Sequence, residues 1–319
     1  MKDLKNRKME NNILKNLLYF LLGCLLWTGC NDDDDLTVYS TEGAKTELGR
    51  KIIEGSDGYV GQYFSDSTYV LAPGVNALEM EILTATGLAV KMFILEVDLN
   101  NTHLTMKASS PNDEGLLKTK QEMTLQALAY DKEGSRVLAA VNGDFFATDG
   151  TPQGIYYRNG VCLKNTMNDN VCTFFAITKD KKAVIGSYDE YDNYRNEIQE
   201  AVGGRMRLMT NGNVLPQTST ALEPRTAIGV TDNNIVYVLV ADGRNFWYSN
   251  GMMYAEMAAV MKALGAKDAI NLDGGGSSTF VVRTKDGFED NRFTIRNWPY
   301  DKGGVERPVA NGLLIVTDN

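Results

Sequence analysis

Histidine is all but missing: His103 is the only one in 319 residues. A catalytic triad would hang on that single ring, and a metal site built from several imidazoles is excluded. His103 lies in "NNTHLTMK", on a turn after a strand, and reads as a structural residue. Positive charge is also short, with 32 Lys and Arg against 41 Asp and Glu, a net charge of −9. That balance argues against a nucleic-acid partner, which asks for a basic face, but leaves room for a few arginines in a pocket. No lysine follows the glycines of "NLDGGGSSTF", 271–280, so a P-loop is excluded. The loop runs into a strand pattern rather than a helix, which argues against a dinucleotide loop.

Long apolar runs are lacking too. The one near the N-terminus, "LLYFLLGCLLW", 17–27, falls short of the roughly 20 residues of a comfortable membrane span. Basic residues precede it (Lys2, Lys5, Arg7, Lys8, Lys15), the pattern of an export leader. "WTGC" closes the leader and "NDDDD" follows at once, as in a bacterial lipobox with Cys30 as the lipidated first mature residue. Residues 1–30 are therefore expected to be a lipoprotein signal peptide and 31–60 an acidic tether and variable segment. The protein would sit on the outer membrane or cell surface through a lipid anchor, with a periplasmic location as the alternative. Cys162 and Cys172 remain in the mature chain, flanking the polar stretch "LKNTMNDN". Outside the cytoplasm they would form a disulfide or stay as two buried thiols.

Hydrophobic residues make up 43% of the chain, enough to bury a sizeable core over 61–319. Strand patterns dominate: "STYVLAPGV", "LAVKMFILEVDL", "RVLAAV", "GIYYRNGVCL", "CTFFAITKD", "KAVIGSY", "TAIGVT", "NIVYVLVAD", "DAINLD", "STFVVRT" and "NGLLIVTD". Two helices are predicted. One covers 120–134 and ends near Gly134. In the other, Met253, Met257, Val260, Met261 and Leu264 share a face before Gly265. The expected fold is a single α+β catalytic domain of mixed or antiparallel sheets with a few packed helices.

Three apolar runs deliver a carboxylate into a turn: Asn142 and Asp144 in "VLAAVNGDFF", Asp242 and Arg244 in "VLVADGRN", Asp273 with Ser277 and Ser278 in the glycine loop. Each alone is ordinary turn chemistry; their repetition suggests a site on loops held by rigid strands. Amides of Gly274, Gly275 and Gly276 are candidates for an anion nest. Arg225 and Arg307, each beside a proline, offer planar forks for a phosphate or carboxylate.

"NGDFF", "TPQGIYYRNG", "EPRTAIGV", "ADGR", the Met-rich helix ending "LGA", "AINLDGGGSST" and "ERPVANGLLI" follow one another in an order that resembles the phosphodiester glycosidase family, over about 137–317. The resemblance implies hydrolysis of a sugar-1-phosphodiester, of the N-acetylglucosamine-1-phosphodiester kind, at the glycosidic C–O bond. A sugar is freed and a phosphomonoester is left. Such chemistry needs one carboxylic acid and one carboxylate. Asp144 and Asp273 are the candidates, with Asp242 and Glu256 in reserve. Arg225 and Arg307 would clamp the phosphate, helped by the glycine amides; Asn142, Gln153 and Ser277 would meet sugar hydroxyls; Thr226, Arg244 and Ser278 complete the binding candidates. No cofactor is expected, and the aspartates leave a divalent cation open. Two other readings stand beside this one. One is a metal-assisted phosphodiesterase releasing sugar-1-phosphate, with Asp144, Asp242 and Asp273 as ligands. The other is a non-catalytic surface glycan-binding lipoprotein, with Phe246, Trp247, Tyr248 and Trp298 as a platform.

Overall fold

The computed structural model describes residues 40–318. The leader, the lipobox cysteine and the acidic run fall outside the described residues. Three antiparallel sheets, of eight, five and five strands, make the frame.

The eight-stranded sheet begins with a meander, Val60–Ala72, Val75–Thr84 and Ala89–Asp98, which continues through Ile235–Ala241, Arg225–Val230, Asp268–Asn271, Arg207–Thr210 and Asn213–Val214. The second sheet orders Val161–Lys164, Tyr156–Arg158, Ile198–Gly204, Thr173–Thr178 and Ala183–Ser187. The third orders Phe293–Ile295, Phe280–Arg283, Arg136–Asn142, Gly312–Thr317 and Leu104–Ser109. Local chemistry sets the hairpins. Asn159 and Gly160, at φ 50° and 77°, make the left-handed two-residue turn that closes Tyr156–Lys164.

Pairings between distant segments hold the rest. Arg136–Asn142 lies between Phe280–Arg283 and Gly312–Thr317. One apolar cluster joins all three sheets, drawing Phe93 and Ile228 from the first, Tyr156 and Phe175 from the second, and Val141 and Leu313 from the third. Each such fully buried side chain contributes roughly 1.5–3 kcal/mol. The opposite face of the eight-stranded sheet is covered by the helices Glu47–Gly55 and Tyr254–Ala263 through Leu48, Ile52, Met257 and Met261. Met123–Tyr130 covers the third sheet.

The expected strands form, and so does the methionine-striped helix, which ends before Gly265 at φ 87°. The helix expected over 120–134 is shorter, Met123–Tyr130, because Lys132–Ser135 turns back on itself around Gly134. Within the stretch read as tether, Glu47–Gly55 is a helix capped by the Thr46 hydroxyl, which accepts from the Gly49 amide at 3.0 Å. It buries Leu48 and Ile52, too few apolar positions to announce a helix in the sequence. Cys162 is an exposed and Cys172 a buried free thiol, so neither a disulfide nor a pair of buried thiols is realised. His103 pairs with Asp318 at 2.7 Å on an exposed edge.

Candidate active site

Two strand ends clasp each other where the first and third sheets meet. Asn142 ends one strand, and its side-chain amide donates to the Asp273 carbonyl at 2.6 Å. The Asp273 amide donates back to the Gly143 carbonyl at 2.9 Å. The Asn142 amide oxygen accepts from the Thr226 hydroxyl at 2.8 Å and the Thr279 amide at 3.1 Å. This network ties Asp144 and Asp273 to one rigid knot.

The carboxyl of Asp144 is buried. Its own amide donates to Asn311 Oδ1 at 2.9 Å, and its Oδ2 accepts from the Gly154 amide at 2.7 Å. Its Oδ1 has no hydrogen-bond partner, and neither does Asn311 Nδ2. Gly203 packs flat on the carboxyl: a Cβ there would lie 2.6 Å from Asp144 Cγ. Burial pushes the Asp144 carboxyl up to about 8; the Gly154 amide and the Lys164 ammonium pull the other way, and the Asp273 carboxylate adds to the rise.

Asp273 sits at the mouth of the glycine loop. Its Oδ1 accepts from the Gly274 amide at 2.9 Å. Burial pushes this carboxyl up to about 6, against the Ser277 hydroxyl, the Gly274 amide and the Arg307 charge, while Asp301 pushes the same way as burial. Beyond it, Gly275 adopts φ 61°, in the left-handed region that glycine enters at no steric cost. A Cβ on Gly276 would collide with the Asp301 carboxylate, which rests on the loop. That carboxylate also accepts from Arg307 Nε at 2.6 Å, and Arg307 Nη1 donates to Ser277 Oγ at 3.2 Å. The Arg244 guanidinium lies beside Gly275, paired with Glu223 and 5.3 Å from the centre of the Tyr300 ring.

Several expected roles are corrected by position. Arg225 points to the helix-covered face. Its Nε donates to the Met252 carbonyl at 3.0 Å, its Nη2 to the Ala221 carbonyl at 3.0 Å, and it lies 4.2 Å from the Tyr254 ring centre. Strand alternation sends only Thr226 toward the site. Glu256 caps its own helix, accepting from the Met253 amide at 2.7 Å, and is not brought to the aspartates. Asp242 is a buried anchor whose oxygens accept from Asn297 Nδ2 at 3.0 Å, the Trp298 amide at 2.9 Å and the Tyr248 hydroxyl at 3.1 Å. Burial raises its pKa against those donors. Asn142, expected at a sugar, and Thr226 and Ser278, expected as binding residues, are engaged with one another, the Thr226 hydroxyl lying 2.8 Å from Asn142 Oδ1 and 3.4 Å from Ser278 Oγ. The nest is partly closed as well, because the Gly274 amide serves Asp273 and the Gly275 amide donates to the Pro224 carbonyl at 2.8 Å. Among the described residues, no group of three or more His, Cys, Asp or Glu gathers for a metal ion.

Three neighbours of the carboxyl pair went unread in the sequence. Arg205 holds Gln153 Oε1 at 2.6 Å and Asp169 at 2.9 Å. Lys164 donates to the carbonyls of Gln153 and Gly154, both at 3.1 Å; burial lowers its pKa while the Asp144 charge raises it. Asn311, in "ERPVANG", was visible only as part of a motif.

Fold and site together define a strand-rich α+β domain that sets a buried and a half-buried carboxyl, with separated proton affinities, beside an arginine-bearing glycine loop. The sequence pattern of the phosphodiester glycosidase family matches residues 135–316, more than half the chain, and the chain belongs to that family. Among curated proteins it is similar to the N-acetylglucosamine-1-phosphodiester alpha-N-acetylglucosaminidases of Mus musculus, 28% identical over 207 residues, and Homo sapiens, 26% identical over 207 residues. The alignments cover 56% of this chain but 37% and 38% of those proteins, so the chain spans little more than a third of their length. Among solved structures it is similar to the zebrafish N-acetylglucosamine-1-phosphodiester alpha-N-acetylglucosaminidase catalytic domain auto-inhibited by its pro-peptide. That likeness has a TM-score of 0.60 at 20% identity, over 80% of this chain and 88% of the other. A hypothetical protein from Synechocystis has a TM-score of 0.56 at 12% identity, over 81% and 64%. At these identities the two structures establish the shared fold.

Proposed function

We propose that the chain is a hydrolase that cleaves a sugar-1-phosphodiester at its glycosidic C–O bond, with an N-acetylglucosamine-1-phosphodiester as the model substrate. The carrying observation is the pair Asp144 and Asp273, held on one knot with values of about 8 and about 6. At neutral pH such a pair holds one proton and one negative charge, the two states that glycoside hydrolysis asks of its carboxyls. In the resting protein Asp144 carries the proton and Asp273 the charge. One group supplies a proton to the departing oxygen; the other attacks the anomeric carbon or activates water. The hydroxyl of that water ends on the sugar, and the proton on the phosphomonoester. Arg307 and Arg244, with the Ser277 hydroxyl, offer positive charge and donors to the phosphate as negative charge builds on it. The family membership and the named activity of the mouse and human relatives support this reading.

The test is to turn over methyl phospho-N-acetylglucosamine in oxygen-18 water. Label in the freed sugar, with unlabelled methyl phosphate, is expected for the wild type, and Asp273→Asn should lose about 10²–10⁴-fold in rate. Label in the phosphate would move the reading to P–O cleavage. Absence of both products would end this substrate assignment.

A further inference from the structure

Five aromatic side chains crowd two short loops outside the glycine loop, and none is needed to bury a core. Trp247 is 89% exposed, Phe246 67%, Trp298 50%, Tyr300 42% and Tyr248 37%. Exposed single aromatics are ordinary; five on two loops tied to one carboxylate point to a contact surface.

One buried carboxylate fixes both loops. Asp242 accepts from the Tyr248 hydroxyl on the first and from the Trp298 amide on the second. Asn297, which also donates to Asp242, donates in addition to the Ser278 carbonyl at 2.9 Å and so ties the second loop to the glycine loop. Phe246 and Trp247 meet edge to face, with centroids 5.0 Å apart. Tyr300 lies over the Arg244 guanidinium, which itself reaches Gly275. A chain of contacts therefore links the aromatic loops to the site: Tyr300 to Arg244, Arg244 to Gly275, Asn297 to Ser278, and Arg307 to Ser277 in the loop that Asp273 opens.

We propose that these two loops form a saccharide platform on the aglycone side of the site, where Trp247 and Trp298 stack against sugar rings linked through the phosphate. This rests on the function proposed above and deepens it: the sugar to be freed lies by the aspartates, the phosphate by the arginines, and a saccharide chain beyond. Four of the five rings carry a polar edge, an indole N–H or a phenol hydroxyl, which suits hydroxyl-rich partners at a wet surface. A lipid aglycone fits less well. It asks for a closed apolar groove, and a chain with net charge −9 is repelled by anionic bilayers.

The experiment titrates intrinsic tryptophan fluorescence of the full chain with a panel of neutral oligosaccharides. Wild type, Trp247→Ala and, as a control exposed aromatic elsewhere, Phe64→Ala are compared. Binding by the wild type and the control is expected, with the dissociation constant of Trp247→Ala raised about tenfold, the scale of one lost ring stack. Trp247 touches little besides Phe246, so its loss leaves folding intact, and circular dichroism checks this. Oligosaccharide binding unchanged in Trp247→Ala, no binding across the panel, or sedimentation with phosphatidylglycerol vesicles that Trp247→Ala abolishes would each overturn the platform. Binding is read without turnover, so its failure is separate from failure of the labelled-water experiment.

Discussion

Asp131 and Asp144 are both buried aspartates in the same domain, and they are treated in opposite ways. Asp131 is fully engaged. Its Oδ1 accepts from the Val137 amide at 2.7 Å and from Arg283, and its Oδ2 accepts from Arg292 Nε at 2.5 Å. Phe293 lies 5.1 Å from Arg283 and 5.4 Å from Arg292, closing the cluster. Asp144 has one amide donor on one oxygen and nothing on the other. A buried carboxylate with its charge neutralised belongs to the scaffold; one that burial holds protonated, with an orphaned oxygen, is a candidate for chemistry. The fold invests its arginines at Asp131 and withholds them from Asp144.

Paired substitutions sharpen the contrast. Asp144→Asn should lose about 10²–10⁴-fold in kcat/KM yet fold well. Its stability should carry the opposite sign to that of a structural loss. The Asp144 value rises from 3.8 unfolded to about 8 folded, so between those values the native state binds more protons. Its contribution is fully present below about pH 4 and is lost as pH rises through about 8. The variant should therefore melt above the wild type at pH 8, with the gap closing toward pH 4. Asp131→Asn should do the reverse, leaving two buried guanidinium groups uncompensated at a cost of about 3–5 kcal/mol. Equal melting temperatures for the two variants at pH 8 would break the comparison.

Gly203→Ala tests the same contrast through shape. Its methyl would press on the Asp144 carboxyl, and a shift of about 1 Å there should cost about 10²-fold in rate. Its melting temperature should fall less than that of Asp131→Asn. An active alanine variant would mean that the carboxyl position is not critical. The smallest effect expected is the wild-type pH profile of kcat/KM, rising through about 6 and falling through about 8. A rate flat across that window would remove both carboxyls from the chemistry.

The strands could be read because their residues carry the period and the turns carry their own chemistry, as Asn159 and Gly160 do. The strand order could not, since neighbours such as Arg136–Asn142 and Gly312–Thr317 meet only through the tertiary fold. The same limit divides the site. Asp144, Asp273 and Arg307 stood next to glycine or proline and could be found. Arg225 had the same local signature as Arg307, but side-chain alternation turned it to the other face. Lys164 and Arg205 come from the second sheet and nearby loop, and nothing in their local sequence places them against Gln153 and Gly154.

Asp301 gives the arginine beside the glycine loop an internal tenant. On the proposed function, a phosphate docking on the Arg307 edge that Asp301 holds would displace this carboxylate, an exchange of one anion for another. The affinity gained is the difference between two ion pairs rather than the full strength of one. Such an arrangement discriminates by charge density and geometry. A singly charged, loosely fitting anion gains almost nothing over the resident, whereas a ligand that also engages Ser277 and the neighbouring loops can displace it.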